Sequence, residues 1–295
     1  MAKFNLAEIS IKGIACSVPN NKVDTTSFYG KFGQKYVDDF INMAGVKSTF
    51  RTKEKQTASD LCFTAAKRLI QVKNIKTEDI GILVFISQTP DYITPATACV
   101  LHKRLGLSKN CMSLDVNLGC SGYVYGLNIV GSLLQISNCD KALLLFGDTN
   151  VKTNSPEDKS VAMLFGEAGS ATLLSKSMST DLGISGELLT DGEGFKAVII
   201  PSGGQRNPEG EHERTLWGDG NIRSDFEAYV NGTDVFSFTI TEIPKLIKSF
   251  MQYNNKTIDS YDALVLHQAV CSFGNSQTHL HKCLVFVLHP HQLSS

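Results

Sequence analysis

Two stretches of the chain, NIKTEDIGILVFISQT at residues 74–89 and NNKTIDSYDALVLHQA at residues 254–269, repeat one pattern at an offset of 180 residues. Five of the sixteen aligned positions are identical. Each copy follows a long helical pattern and reads as a helix end, a turn, a buried strand and a glutamine at the strand's carboxyl edge. The repeat predicts a fold made of two similar halves.

Strand and helix patterns alternate along the rest of the chain, which predicts an α/β layered fold. The predicted strands are the apolar runs Ile82–Ile86, Lys141–Phe146, Ala162–Leu174, Lys196–Ile200 and Ala263–Leu266. The predicted helices are Ser59–Val72, Ala96–Leu105, Ser121–Ile136 and Val235–Tyr253. The glycine-rich, charged stretch Ser202–Arg223 contains the only tryptophan, Trp217, and is interpreted as a long surface excursion between the halves.

The composition is that of a folded protein: 42% of the 295 residues are hydrophobic and 19% are charged. With 28 basic and 29 acidic residues, the net charge of −1 argues against nucleic acid or an anionic membrane as a partner recruited by charge. No apolar run reaches the roughly 18 residues of a membrane-spanning helix. Glu8 and Lys12 interrupt any signal-peptide core, so a cytoplasmic location is expected.

The eight cysteines are spread along the chain without the clustered spacing of a zinc site or of a small disulfide framework. Most of them are therefore expected to be buried as small hydrophobic residues. The paired histidines near the end, His279 with His281 and His289 with His291, lack acidic or cysteine partners at ligand spacing. Neither a metal nor another cofactor is expected.

The stretch DVNLGCSGYVYGL at residues 115–127 is the strongest local signal of chemistry. It places Cys120 in a glycine-rich turn between a strand and a helix. Backbone N–H groups and the positive end of the helix dipole favour a thiolate there, and small neighbours allow a substrate to approach. Cys120 is thus a candidate nucleophile; a buried cysteine in a tight turn is the alternative that the segment alone leaves open.

His267 follows the buried strand of the second repeat copy, where open α/β sheets place functional groups. An imidazole at that position can donate a hydrogen bond to a carbonyl or exchange a proton, although a structural histidine fits equally well. FGEAGSA at 165–171 lacks the lysine and the strand-to-helix context of a phosphate loop and is interpreted as structural. TPDYITPA at 89–96 is interpreted as a surface connection.

The repeat also predicts that the second half is incomplete. The layout of the first half, transferred to the second, would extend to about residue 355. From Ala263 onward the chain contains neither Asp nor Glu. We therefore expect an N-terminal half at residues 1–175 that carries Cys120 and a truncated C-terminal half at residues 176–295 that carries His267. A tail at residues 270–295, after about Ala269, is expected to be aberrant, through a frameshift or another change.

Together these segments resemble the β-ketoacyl-acyl-carrier-protein synthase III family of the thiolase superfamily. The resemblance runs from about Glu8 to Ala269 and rests on several motifs in order. They are TPDYITPATAC at 89–99, DVNLGCSGYVYGL at 115–127, LFGD at 145–148, FGEAGSA at 165–171, NGTDVF at 231–236 and LHQA at 266–269. It implies two similar halves in a five-layer αβαβα fold, and a homodimer.

The resemblance also implies a reaction, the decarboxylative Claisen condensation of an acyl thioester with malonyl-acyl carrier protein. Cys120 matches the nucleophile that accepts the acyl group from acyl-CoA or acyl carrier protein, and its backbone N–H is half of the oxyanion hole. His267 matches the histidine that hydrogen-bonds the malonyl thioester carbonyl. Thr94 falls at the residue that gates the partner subunit's acyl tunnel.

The chain departs from the family pattern at three places. The glycine that completes the family's oxyanion hole belongs to the C-terminal strands that are expected to be missing. Gly274-Asn275-Ser276 comes too soon after His267 to be assigned the role of the family's catalytic asparagine. Asp39 and Met43 stand where some relatives hold the CoA adenine with Trp and Arg, which favours a carrier protein as an alternative donor. Two other readings stay open: a truncated, catalytically impaired paralogue that acts as an interaction or structural protein, and a thiolase-like or hydroxymethylglutaryl-CoA-synthase-like enzyme.

Overall fold

A computed structural model describes residues 2–177, 183–267 and 285–288. The helices of these ranges are α1 Tyr29–Phe32, α2 Gln34–Ala44, α3 Ala58–Val72, α4 Thr97–Leu105, α5 Gly122–Ile136 and α6 Gly232–Asn254. The strands are β1 Ala2–Ala7, β2 Ile9–Ser17, β3 Asn21–Asp24, β4 Ser48–Arg51, β5 Ile80–Ile86, β6 Met112–Val116, β7 Lys141–Asp148, β8 Ala168–Lys176, β9 Gly183–Leu188, β10 Val198–Ile199, β11 Thr215–Leu216, β12 Ile222–Arg223, β13 Tyr229–Val230, β14 Ala263–Leu266 and β15 Val285–Leu288. Single 3₁₀ turns lie at Thr25–Phe28, Thr77–Asp79, Asn150–Thr153 and Ile258–Ser260.

The centre of the first half is a five-stranded mixed sheet in the order β2-β8-β7-β5-β6. β7, β5 and β6 are parallel, whereas β8 runs antiparallel to both β7 and β2. The parallel strands β5 and β7 are near-continuous apolar runs because helices cover both of their faces. The predicted α/β layered architecture is confirmed.

Alternation along β5 and β7 divides their side chains between two apolar layers. One layer joins Leu83, Phe85, Leu143 and Leu145 to α3 and α4 through Ala65, Leu69, Ala98 and Leu101. The other joins Ile82, Val84, Ile86 and Leu144 to α5 through Leu127, Val130 and Leu134. The sheet is thus the middle of a helix–sheet–helix sandwich, which fixes the ends of its strands in space.

Helix α3 starts at a capping box and lies very close to the sheet. The side chain of Thr57 accepts from the backbone N–H of Asp60, and the Asp60 carboxylate accepts from the Thr57 N–H at 3.0 Å. A Cβ atom placed on Gly169 of β8 would lie 2.5 Å from the Cys62 nitrogen and 2.6 Å from the Leu61 Cβ. The helix can approach this closely because residue 169 has no side chain.

The main elements of the described part of the second half are β9, α6 and β14. Asn231 caps α6 by accepting from the Asp234 N–H at 3.2 Å. The helix is tied to β9 by two side-chain hydrogen bonds, Ser249 Oγ to Glu187 Oε1 at 2.9 Å and Ser185 Oγ to Asn254 Oδ1 at 3.1 Å. β14 occupies the predicted residues, Ala263–Leu266.

The two copies are similar in local structure at an offset of 181 residues, one more than the offset of the sequence alignment. A left-handed asparagine follows the helix in each copy, Asn74 at φ 50° and Asn255 at φ 51°. The 3₁₀ turns that follow, Thr77–Asp79 and Ile258–Ser260, also differ by 181 positions. The copies differ in strand pairing, because both neighbours of β5 are parallel whereas β14 pairs with β15 in antiparallel fashion.

Two predicted strands were too long. Residues 162–167 of the run Ala162–Leu174 are not strand, and the strand starts at Ala168. Those residues follow a turn in which the Asp158 carbonyl accepts from the Ala162 N–H at 2.9 Å, so their apolar side chains fill a turn instead of a ladder. Within Lys196–Ile200, only Val198–Ile199 is strand.

The predicted excursion at Ser202–Arg223 is not wholly on the surface. Arg223 is completely buried, and its Nε and Nη2 lie 2.7 and 2.6 Å from Oδ2 of the buried Asp158. The Trp217 indole N–H donates to the Arg223 carbonyl at 3.0 Å. This ion pair fastens the segment to the first half.

The cysteines are less buried than predicted. Of the six in the described ranges, Cys62 and Cys111 are buried, Cys139 is half-buried, and Cys16, Cys99 and Cys120 are exposed. Three of them lie at an edge strand, a helix surface and a turn, where neighbours cover them less than core positions would. Cys271 and Cys283 lie outside the described residues.

A search of the described helices for one long and apolar enough to cross a bilayer found none.

The close approach at Gly169 gives a test of the packing. Gly169→Ala should lower the free energy of unfolding by about 1–3 kcal/mol. The new methyl group would clash with the backbone of α3, which cannot move away as a flexible side chain can. Gly192→Ala, at a position with open space around it, is the matched control and should change stability little. Urea unfolding of both variants measures the difference; equal stabilities would contradict the packing.

Candidate active site

Three parallel strands of the first half end at one edge of the sheet, and the segments that follow them are joined there. The Ser87 N–H donates to the Val116 carbonyl at 3.2 Å, which extends the β5–β6 ladder into the loops. The Thr149 N–H donates to Thr89 Oγ1 at 2.9 Å and joins the end of β7 to the end of β5. Functional groups of α/β sheets gather at such carboxyl edges.

Cys120 lies in a tight turn at this edge. The Gly119 carbonyl accepts from the Gly122 N–H at 2.7 Å, and α5 begins at Gly122. The Cys120 side chain is exposed and stands immediately before the helix N-terminus, where N–H groups and the helix dipole stabilise negative charge. Because Cys120 is exposed, the alternative that it is a buried structural cysteine is wrong.

Glycine is required at the start of this helix because of the sheet beneath it. A Cβ atom on Gly122 would lie 2.8 Å from Ile86 Cγ2 and 3.1 Å from Phe146 Cε2. The first turn of α5 can therefore rest on the ends of β5 and β7, which keeps Cys120 at the edge of the sheet.

A half-buried carboxylate, Asp148, fixes the loop after β5. Its Oδ1 accepts from the Gln88 N–H at 2.7 Å, from Ser87 Oγ at 2.9 Å and from Thr89 Oγ1 at 3.1 Å. Burial raises the pKa of Asp148 and outweighs these hydrogen bonds, which act to lower it. Asp148 belongs to the LFGD motif, but its role could not be predicted from the motif, because the three donors come from another loop and meet the carboxylate only in the folded chain.

His267 directly follows β14, as predicted, and is half-buried. Burial lowers its pKa below the ordinary value of 6.5, because desolvation disfavours the imidazolium. The neutral imidazole, with one N–H donor, is therefore the main form at neutral pH. Cys120 and His267 each follow the carboxyl end of a strand, one in each half. Gly274-Asn275-Ser276 and the four tail histidines lie outside the described residues.

Thr94 lies in an exposed loop between β5 and α4. Its neighbour Ile93 is 94% exposed, and the Thr94–Pro95 peptide bond is cis. Behind the loop, Asp91 accepts from Ser59 Oγ at 2.7 Å, and its N–H donates to Thr97 Oγ1 at 3.0 Å. The tip of the loop is therefore exposed to solvent, and hydrogen bonds of Asp91 fix its base. This agrees with the predicted surface connection.

The start of α4 is held against β6. The Asp115 carboxylate accepts from the backbone N–H groups of Thr97 and Ala98 at 2.6 and 2.7 Å. A negative charge at a helix N-terminus is favourable, so this contact sets where the Thr94 loop leaves the sheet.

The remaining predicted positions are also located. Asp39 and Met43 both lie exposed on α2, one turn apart. FGEAGSA forms the turn into β8, where the Glu167 N–H donates to the Phe50 carbonyl at 2.9 Å, in agreement with a structural part. Among the described residues, no three His, Cys, Asp or Glu side chains cluster as metal ligands would.

Comparison with known proteins identifies the family. Residues 114–192 match the family model described as 3-oxoacyl-[acyl-carrier-protein (ACP)] synthase III. A Campylobacter jejuni protein provisionally named 3-oxoacyl-[acyl-carrier-protein] synthase 3 is 31% identical over 287 residues, covering 96% of this chain and 78% of the relative. That match extends past Ala269, and the suggested aberrant tail stays a prediction.

Further relatives agree. The β-ketoacyl-[acyl-carrier-protein] synthase III of Caldanaerobacter subterraneus is 30% identical over 234 residues, covering 79% of this chain and 68% of the relative. The crystal structure of a 3-oxoacyl-(acyl-carrier protein) synthase from Burkholderia xenovorans superposes with a TM-score of 0.84 at 33% identity, covering 91% of this chain and 76% of that one.

These matches confirm the thiolase-like fold class and do not favour a non-catalytic paralogue. The chain belongs to the β-ketoacyl-[acyl-carrier-protein] synthase III family, acyltransferases of fatty acid biosynthesis that condense an acyl thioester into a 3-oxoacyl product.

Proposed function

We propose that this chain condenses an acyl thioester with malonyl-acyl carrier protein through an acyl-Cys120 intermediate. The observation that carries the proposal is the position of Cys120, exposed at the start of α5 and at the carboxyl edge of the sheet. Buried Cys62 offers a contrast, because burial raises its pKa to about 12 and keeps it a thiol.

In the first step the Cys120 sulfur attacks the carbonyl carbon of the donor thioester. The tetrahedral intermediate collapses with the CoA or carrier thiol as leaving group, and the thiol proton of Cys120 ends on that leaving group. The Cys120 backbone N–H would stabilise the oxyanion in this step. Asp39 and Met43, exposed on α2, stand in place of the Trp and Arg with which some relatives hold the CoA adenine, so acyl carrier protein is an alternative to acyl-CoA as the donor.

In the second step malonyl-acyl carrier protein loses CO₂, and the C–C bond electrons form an enolate. His267 would donate a hydrogen bond to the thioester oxygen as negative charge develops there. The enolate carbon attacks the acyl-Cys120 carbonyl, and the Cys120 sulfur leaves as a thiolate that regains a proton. A neutral, half-buried imidazole is suited to donate this hydrogen bond through its ring N–H.

The assembly completes the proposal. Two such chains would form a homodimer in the cytoplasm, with the exposed loop tip at Thr94 reaching the partner's acyl tunnel. The division between residues 175 and 176 falls one residue before the end of β8, the last strand of the five-stranded sheet in chain order. No nucleic acid or membrane takes part in this scheme.

Acylation of Cys120 is tested by intact-mass spectrometry after incubation with a short-chain acyl-CoA, and separately with the acyl carrier protein thioester. The wild type should gain one acyl group, and Cys120→Ala should gain none. Cys99→Ala, which removes another exposed cysteine, should be labelled as the wild type is. Labelling that survives Cys120→Ala would overturn the assignment of the nucleophile.

His267→Ala should separate the two half-reactions. We expect acylation of Cys120 to continue, while release of CO₂ from malonyl-acyl carrier protein falls roughly 100- to 1,000-fold, the usual effect of losing one oxyanion donor. Radiolabelled CO₂ release measures this step. His212→Ala, at an exposed histidine, is the control, and equal CO₂ release by all three proteins would refute the role.

Burial of His267 also predicts a pH dependence of stability. Because its folded-state pKa lies below the unfolded value of 6.5, protonation favours the unfolded chain. Stability from this group is present above about pH 6.5 and is lost as the pH falls through the folded pKa. Urea unfolding at pH 7.5 and 5.5 should therefore show a larger loss in the wild type than in His267→Gln. Equal losses would contradict the burial.

A further inference from the structure

Gln88 lies beside the Cys120 turn although neither the motifs nor the proposed reaction assigns it a part. It follows β5, and Gly119 follows β6, so the parallel pairing of Ile86 with Val116 brings their segments together. A Cβ atom on Gly119 would lie 2.7 Å from Gln88 Cδ and 3.2 Å from its Nε2, and it would overlap Oε1. The carboxamide of Gln88 thus occupies the space where a side chain of residue 119 would be.

The backbone of Gln88 is fixed more firmly than its exposed position suggests. Its N–H donates to Asp148 Oδ1, which also accepts from the hydroxyls of Ser87 and Thr89. Thr89 Oγ1 in turn accepts from the Thr149 N–H. A half-buried carboxylate and two hydroxyls therefore hold the backbone of this exposed glutamine at the end of β7.

The group next to Gln88 is the peptide between Gly119 and Cys120. That peptide carries the Cys120 N–H, and its carbonyl accepts from the Gly122 N–H at 2.7 Å. The α5 terminus therefore holds the peptide through its oxygen, and the Gln88 carboxamide packs against the Cα atom that precedes it. An oxyanion donor stabilises charge only when its N–H direction is fixed in advance.

We infer that Gln88 is a positioning residue that fixes the Gly119–Cys120 peptide, so that the Cys120 N–H points at the oxyanion of the acyl-transfer step. The inference rests on the proposed function, since it needs acylation at Cys120. It predicts an effect on the reaction that develops an oxyanion and little effect on the reactivity of the sulfur itself.

The test compares two reactions of Cys120 in Gln88→Ala. One is acylation by acetyl-CoA, or by acetyl-acyl carrier protein if that is the donor, followed by intact mass at several donor concentrations. The other is alkylation by iodoacetamide, which forms no tetrahedral oxyanion. We expect the maximal acylation rate to fall at least about tenfold with half-saturation nearly unchanged, and the alkylation rate to stay within about twofold, since complete loss of an oxyanion donor costs roughly 100- to 1,000-fold.

Gln88→Met restores a side chain of similar length and should return the acylation rate to within about threefold of the wild type, because the contact with Gly119 is one of packing. If the alanine variant fails to fold, Gln88→Met still tests the inference, because slow acylation by a folded methionine variant would contradict a packing role. Gln71→Ala, at an exposed glutamine on α3, is the matched control and should behave as the wild type.

The outcomes separate the two claims. If acylation of Cys120 is equally fast in the wild type and in Gln88→Ala, the inference fails while the proposed function stands. If acylation and alkylation fall together, Gln88 acts on the sulfur or on folding, and the inference is again overturned. If the wild type is not acylated on Cys120 at all, the proposed function fails and takes this inference with it.

Discussion

The contact between α5 and the sheet is the constraint on which the first half depends. A Cβ atom on Gly126 would lie 2.6 Å from Ile86 Cδ1 and 2.7 Å from Leu144 Cδ1. The helix backbone therefore packs directly on the side chains of the strands, with no room for a side chain at residue 126. Each fully buried aliphatic side chain in this layer contributes about 1.5–3 kcal/mol. Because interiors are close-packed, α5 cannot shift without opening gaps along its length. The place of Cys120 is therefore a consequence of core packing.

Apolar packing alone does not determine the loops at the edge of the sheet, and a polar network supplements it. Asp148 is half-buried, and the partial loss of solvent raises its pKa, because desolvation disfavours the charged form. Three donors from residues 87–89 compensate in part for that desolvation. A hydrophobic residue would avoid the cost but would leave those donors without this acceptor. One of them is the hydroxyl of the buried Ser87, and a buried donor without a partner costs about 1–3 kcal/mol. Asp148 thus lowers the stability of the fold but gives the loop beside Cys120 a defined position.

Periodicity and turn chemistry were sufficient to predict the elements that carry the candidate site. The runs at β5, β7 and β14 and the helix after Cys120 were predicted within a few residues, because continuous apolar strands and a glycine turn are local signals. The interaction of Gln88 with Gly119 could not be predicted, since it joins residues that are distant in sequence through two parallel strands. The strand β2, Ile9–Ser17, was missed because Lys12 and Gly13 break its apolar pattern at a bulge.

The two halves differ in how completely their elements are covered. α3, α4 and α5 bury their apolar sides on the first sheet, whereas α6 buries only Thr239 and Ile243 in its 23 residues. Phe236 and Phe238 on its first turns are 50% and 46% exposed. The Cys120 turn depends on the first sheet and its helices, so its geometry is determined where the packing is dense. His267 follows a strand of the half whose long helix is still largely uncovered. In the proposed reaction, nucleophilic attack would therefore depend on a densely packed part of the fold, whereas enolate formation would depend on a part whose long helix buries few side chains.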